Sequence, residues 1–181
     1  MINSRAASQT EILTIGHSTR DLGDFVGLLK SHEVTLLVDV RTIPRSKRNP
    51  QFNRETLPSS LSQVGIGYRH FPALGGLRRA RADSHNLAWR NLSFRGFADY
   101  MQTEEFEVAI GELVDLARSC RLAIMCAEAV PWRCHRSLIA DALTVRGLAV
   151  KHILSATNAK PHVLTEMARV RGTTVTYPAQ V

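Results

Sequence analysis

Residues 34–40 read VTLLVDV, and every position except Asp39 is β-branched or leucine. A strand with no polar face must be covered on both sides, which places it in a parallel sheet between two layers of helices. The rest of the chain supplies such layers. Residues 11–15 (EILTI) predict a strand running into Gly16-His17-Ser18-Thr19. Next, 21–31 carries Leu22, Phe25, Val26 and Leu29 at helical spacing, with Thr19 or Asp21 available as a cap. Further strands are predicted at 66–71, 121–125 and 148–154, and helices at 54–64, 94–101, 104–119 and 137–146. Gly147 closes the last of these helices. The tail reads as a helix over 161–169, with Pro161 in its first turn, and one more strand over 173–177. This alternation predicts one α/β domain over 11–181, a compact three-layer sandwich on a mainly parallel sheet of about five strands. The layout is Rossmann-like, but G-x-G-x-x-G is absent. Residues 1–10 are polar and aperiodic and read as a disordered N-terminal extension.

Charge narrows the partner. Nineteen Arg and four Lys face sixteen acids, a net charge of +7. Arginine binds phosphate or carboxylate through a planar fork, so the bias toward it points to an anionic partner. Ten of the cations fall in two turn-rich stretches, 41–54 and 78–95. No apolar run approaches the roughly 20 residues of a membrane helix, so no membrane partner is expected. Three cysteines in 181 residues are not a disulfide framework, and a cytoplasmic protein is the expectation.

In open α/β sheets, ligands bind beyond the carboxyl ends of the strands. The chemically capable residues fall there repeatedly. Gly16, His17 and Ser18 follow the first strand, Asp39 and Arg41 the second, Gly75 and Gly76 the third, and Cys126 and Glu128 the fourth. The densest run is Cys126-Ala-Glu128-Ala-Val-Pro131-Trp-Arg133-Cys134-His135-Arg136. A cysteine ahead of a helix N-terminus and among cations gains thiolate character, and the helix's first N–H groups can hold an anion. Cys126 and Glu128 are therefore the candidate reacting groups, with His17 beside them. Arg41, Arg133, His135 and Arg136 are candidate anion holders, with Ser46 and Cys134 at the same rim. A plainer reading also stands for each: Cys126 as a core residue, Glu128 in an ion pair with Arg133 or Arg136, Asp39 in a structural pair with Arg41 or His17. Cys126, Glu128, Cys134 and His135 carry metal-binding atoms, but seven residues between the cysteines do not match ordinary zinc spacing, so a metal is possible but not favoured, and no other cofactor is expected. His32 and His152 read as incidental, and His70, His85 and His162 as weaker candidates for the same pocket.

The motifs TIGHS (14–18), DVRTIPRS (39–46), Phe52-Asn53, LGG (74–76), GFADYM (96–101) and CAExxPxxCHR (126–136) occur in that order. With them the chain resembles the family catalogued as domain of unknown function number 488, over about residues 12–177. The resemblance implies a compact α/β domain with these motifs gathered at one site, and it brings no established reaction.

The expected function is an enzyme acting on an anionic, phosphate-bearing substrate, such as a nucleotide or nucleic acid. The alternative is a nucleic-acid-binding or nucleic-acid-processing protein that uses the two Arg-rich segments, with Trp89, Phe94 and Tyr68 available to stack bases. A second alternative is a non-catalytic ligand-sensing module.

Overall fold

The computed structural model describes residues 10–179. The expected N-terminal extension therefore lies, except for Thr10, outside the described residues. Strand β1 (Glu11–Gly16) leads through α1 (Leu22–Ser31) to β2 (Leu36–Asp39), and then through α2 (Leu57–Ser62) to β3 (Gly67–His70). Helices α3 (Leu92–Tyr100) and α4 (Glu104–Ser119) precede β4 (Leu122–Cys126), and α5 (Arg136–Thr144) precedes β5 (Ala149–Ser155). Capping follows the side chains available. Asp21 accepts the Asp24 N–H at 2.8 Å to start α1, and Thr103 accepts that of Phe106 to start α4.

The central sheet has six strands in the order β3-β2-β4-β1-β5-β6, the last being β6 (Asn158–Pro161). The first five are parallel, and β6 is antiparallel to β5. Side chains alternate between two cores. Leu13, Ile15, Leu37 and Met125 pack with Phe25 and Leu29 of α1 and Leu57 and Leu61 of α2. Ile12, Val38, Ile124 and Cys126 face α3, α4 and α5. This is the predicted three-layer sandwich, and Leu36–Asp39 is covered on both sides as its composition requires.

Two expectations about the tail change. The sheet of about five strands gains β6 at Asn158–Pro161, where no strand is expected, and the tail's 161–169 segment is not a helix. Pro161 closes β6 on the sheet edge, where a missing N–H costs no ladder bond. The segment after it is pinned by His162 and the Thr165 N–H, both bonded to Asp141. The last predicted strand, β8 (Thr174–Thr176), pairs with β7 (Arg169–Arg171) in a separate hairpin. Finally, the long irregular stretch after β3 is built around the buried Asp99 of α3. That carboxylate accepts from Ser84 Oγ at 2.6 Å, Asn86 Nδ2 at 2.8 Å and the Arg81 N–H at 2.8 Å.

Candidate functional site

Strand β4 lies between β1 and β2, with Cys126 opposite Gly16 and Met125 opposite Asp39. The carboxyl ends of the three central strands thus bring Gly16, Asp39 and Cys126 side by side. The chain beyond β4 stays locked to β1. The N–H groups of His17 and Ser18 donate to the carbonyls of Cys126 and Ala127 at 3.0 and 2.8 Å. A Cβ on Gly16 would fall 1.8 Å from the Glu128 carbonyl oxygen, so the close approach of these two loops needs glycine there.

Asp39 and Arg41 form a buried pair. Arg41 Nε donates to Asp39 Oδ1 at 2.8 Å and Nη2 to Oδ2 at 2.6 Å. Nη2 also donates to the Phe52 carbonyl at 2.6 Å, and Nη1 to His17 Nε2 at 3.2 Å. Tyr68 of β3 donates to Asp39 Oδ2 at 2.8 Å. Four of Arg41's five N–H groups are therefore spent inside the protein. Removing one donor should cost little here. Tyr68→Phe is expected to lower stability by about 1 kcal/mol in a denaturant titration, since Asp39 keeps its Arg41 bonds.

His17 holds Arg41 in place. Its Nδ1–H donates to the Ser18 carbonyl at 2.8 Å, which leaves Nε2 as the acceptor for Arg41, and the ring stacks on Phe52. Burial, and after it the Arg41 charge, lower its pKa to about 4. Neither ring nitrogen is left to exchange a proton with a ligand.

The sulfur atoms occupy the floor of a cleft of about 360 Å³. His135 Nδ1 stands 4.0 Å from Cys126 Sγ and 3.7 Å from Cys134 Sγ. Its Nε2 faces the carbonyl oxygens of Leu74 and Val40 at 3.1 and 3.3 Å. Two acceptors fix the N–H on Nε2, so Nδ1 presents a lone pair to the sulfurs. Gly76 lies over this ring. A Cβ there would meet Nδ1, Cγ and Cε1 at 2.5, 2.7 and 2.9 Å, distances similar enough to place it over the ring face and not in line with the lone pair. Gly75 packs as tightly on Thr42.

Arg136 is 1% exposed, and its guanidinium has no carboxylate partner among the described residues. It donates to the Glu128 carbonyl at 2.6 Å, Thr14 Oγ1 at 3.3 Å and Cys134 Sγ at 3.4 Å. A hydrogen bond from Cys126 holds the Cys134 thiol well below the usual range, with His135 and Arg136 acting in the same direction against burial. The same bond and burial push the Cys126 thiol up. The sequence reading placed thiolate character on Cys126. The structure favours Cys134 instead, first because Cys126 donates its hydrogen bond to that sulfur, with His135 and Arg136 acting in the same direction.

Two further expectations shift. The first turn of α5 offers little to an anion, since the N–H groups of Ser137 and Leu138 donate to the carbonyls of Cys134 and His135. Glu128 forms no ion pair with Arg133 or Arg136. Its exposed carboxylate and the exposed Arg133 guanidinium both line the cleft, and neither has a partner among the described residues. Ser18 and Ser46 line an adjoining depression of about 400 Å³, which meets the cleft at Arg41, Ile43, Ala127 and Glu128. Ser46 Oγ there accepts the Asn49 N–H at 3.1 Å.

His152 and His162, read as incidental or weak, belong to a buried chain that reaches this floor. Thr14 Oγ1 lies 2.7 Å from His152 Nδ1, His152 Nε2 is 3.0 Å from His162 Nδ1, and His162 Nε2 is 2.7 Å from Asp141 Oδ1. Arg136 can only donate and the Asp141 carboxylate only accept. With one proton on each ring, every bond runs from Arg136 toward Asp141. Tyr177 donates to Asp141 Oδ2 at 2.7 Å and completes the acceptor end. In sequence these residues are a threonine in a strand and scattered single residues beyond 140, with no spacing signal to join them.

Much of the basic surface turns out to be self-engaged. Arg78 donates to the Gly75 and Ala73 carbonyls and lies 3.6 Å over the Tyr100 ring, Arg81 pairs with Asp83, and Arg95 donates to the Trp89 carbonyl. Trp89 stacks on Phe94 at 4.7 Å.

A family model described as a domain of unknown function, DUF488, matches residues 21–143. The chain belongs to the DUF488 family. The matched span is narrower than the 12–177 expected from the motifs. It contains Asp39, Arg41, both glycines of 75–76 and the whole 126–136 run, and it omits Gly16-His17-Ser18 and the tail that supplies His152, His162 and Tyr177. No curated protein and no solved structure matches this DUF488 chain.

Proposed function

We propose that this DUF488 protein is an enzyme acting on an anionic, phosphate-bearing substrate in the cleft at the end of β4. One observation carries the reading. Glu128 and Arg133, opposite in charge and unpaired among the described residues, both line a cleft floored by Cys126, Cys134 and His135. Both groups are solvated and face the same cleft, so each is available to a ligand that enters it. Arg133 takes the anion through its planar fork. Glu128 carries the proton, accepting it from the attacking group or delivering it to the leaving group. Arg41, with four of its five N–H groups committed inward, lines the cleft and charges it, and the buried Arg136 charges it from behind.

The test is calorimetric binding of inorganic phosphate and nucleoside monophosphates, together with turnover of a panel of phosphate esters. Arg133→Ala is expected to weaken phosphate binding about tenfold, the loss of one charge-assisted contact. Glu128→Gln is expected to keep phosphate binding and lower turnover about a hundredfold. If wild type binds phosphate no better than Arg133→Ala, or turns over no ester in the panel, the reading fails.

A further inference from the structure

We infer that Cys126, Cys134 and His135 form a three-ligand site for a zinc-class divalent metal ion, with the fourth coordination position opening onto the cleft. One ligand atom from each residue lies within 4.8 Å of the others, and among the described residues no other such group of three or more occurs. A tetrahedral ion with bonds of about 2.3 Å to sulfur and about 2.0–2.1 Å to nitrogen places sulfur and nitrogen about 3.6 Å apart. The two sulfur–nitrogen separations here are 4.0 and 3.7 Å, so these pairs need adjustments of at most a few tenths of an ångström, and the two sulfurs lie within 4.8 Å of each other.

Direction agrees with distance. His135 Nε2–H is occupied by two backbone carbonyls, the arrangement that fixes the tautomer of a metal-bound imidazole and aims its other nitrogen. Gly76 covers the ring face, and the in-plane lone pair at Nδ1 is left toward the sulfurs. Arg136 Nε at 3.4 Å from Cys134 Sγ supplies an outer hydrogen bond to one thiolate ligand. The ligands are also well anchored: Cys126 ends a strand paired on both sides, and Cys134 ends a 3-10 turn held by the buried Pro131. Two sulfurs and an imidazole favour zinc and its neighbours over magnesium or calcium.

Spacing along the chain argued against a metal because ordinary zinc motifs place paired cysteines close together in one turn. Here one cysteine ends a strand and the other stands just before the next helix, and the fold closes the seven-residue gap. Three protein ligands are one fewer than a closed structural zinc site uses. The site stands on this geometry. The job it gives the ion, activating a water or substrate oxygen beside Glu128, rests on the function proposed above.

The full-length protein, stripped with chelator and reduced, would be titrated with zinc and separately with cobalt(II). The expected result is one equivalent per chain. Cobalt should give the intense visible bands of a tetrahedral ion and a near-ultraviolet sulfur-to-cobalt charge-transfer band. Cys126→Ser and Cys134→Ser should each weaken zinc binding at least tenfold and reduce that charge-transfer band, while Cys120→Ser leaves both unchanged. Should either ligand variant fail to fold, the wild-type cobalt spectrum still decides. Less than a tenth of an equivalent of zinc, a cobalt spectrum without the sulfur band, or unchanged affinity in both ligand variants would overturn the site. Phosphate binding that depends on Arg133 but occurs without metal leaves the functional reading standing when the metal site fails. Metal binding without phosphate binding does the reverse.

Discussion

Between pH 7 and pH 4 the protein is expected to lose on the order of 5 kcal/mol of folding stability through two buried histidines. His17 and His152 both have pKa values lowered from 6.5 to about 4, in each case first by burial. For His17 the Arg41 charge adds to that effect, and the Ser18 carbonyl and Asp39 oppose it. For His152, His162 and Arg136 add and Asp141 opposes. In the folded chain both rings stay neutral through this window, while in the unfolded chain they take up protons below about 6.5. Unfolding therefore binds protons, and stability falls as pH falls from 6.5 toward 4, then flattens once the folded rings also titrate. The loss is a large part of what holds an ordinary domain together. Urea titrations at pH 7, 6, 5 and 4 would measure it, and the interval above pH 5 isolates it from ordinary carboxylates. His17→Gln and His152→Gln should each remove about half the dependence. A stability that stays level from pH 7 to 5 would refute the burial of the two rings in neutral form.

Asp141→Ala is expected to cost about 3–5 kcal/mol, or roughly 6–20 °C in melting temperature for a chain of this size. Asp141 is fully buried and accepts from His162 Nε2, the Thr165 N–H and the Tyr177 hydroxyl. Alanine leaves all three donors without an acceptor and opens a small void. Asp141→Asn keeps an oxygen for His162 and Thr165, and the Tyr177 oxygen can accept from the new amide. It should therefore cost well under half as much. Equal losses for the two variants would mean that the carboxylate's charge, and not its acceptor geometry, holds the segment.

The architecture was largely legible from residues whose physics is local. VTLLVDV announces a strand covered on both faces, and Glu104–Ser119 carries a helical apolar stripe with an acidic first turn. The strand-end rule gathered Gly16, Asp39 and Cys126 correctly because it depends on topology alone. The tail failed for a tertiary reason. Val163, Leu164, Met167 and Ala168 are spaced as a helix would space them, but His162 and Thr165 are pulled onto Asp141, and that pattern is never realised. Site chemistry was legible by residue type but not by role. Sequence can mark Arg136 as a cation near a cysteine. It cannot say that the side chain turns inward, is bonded to the Glu128 carbonyl, Thr14 and Cys134, and has no carboxylate partner among the described residues.

The small C-terminal hairpin joins parts of the chain made far apart. Tyr177, just past β8, is fully buried, receives the Ala88 N–H on its carbonyl and gives its own N–H to Asn86. A nascent chain that has reached residue 144 already carries all five helices, yet Asp141 still lacks Tyr177 and His162, and His152 has not arrived to meet Thr14. Helix α5 therefore completes its polar seam only after synthesis has passed the 170s. Nicks or tight fusions placed near β8 would act on the sulfur-lined floor from a distance, by way of Asp141 and the histidine chain.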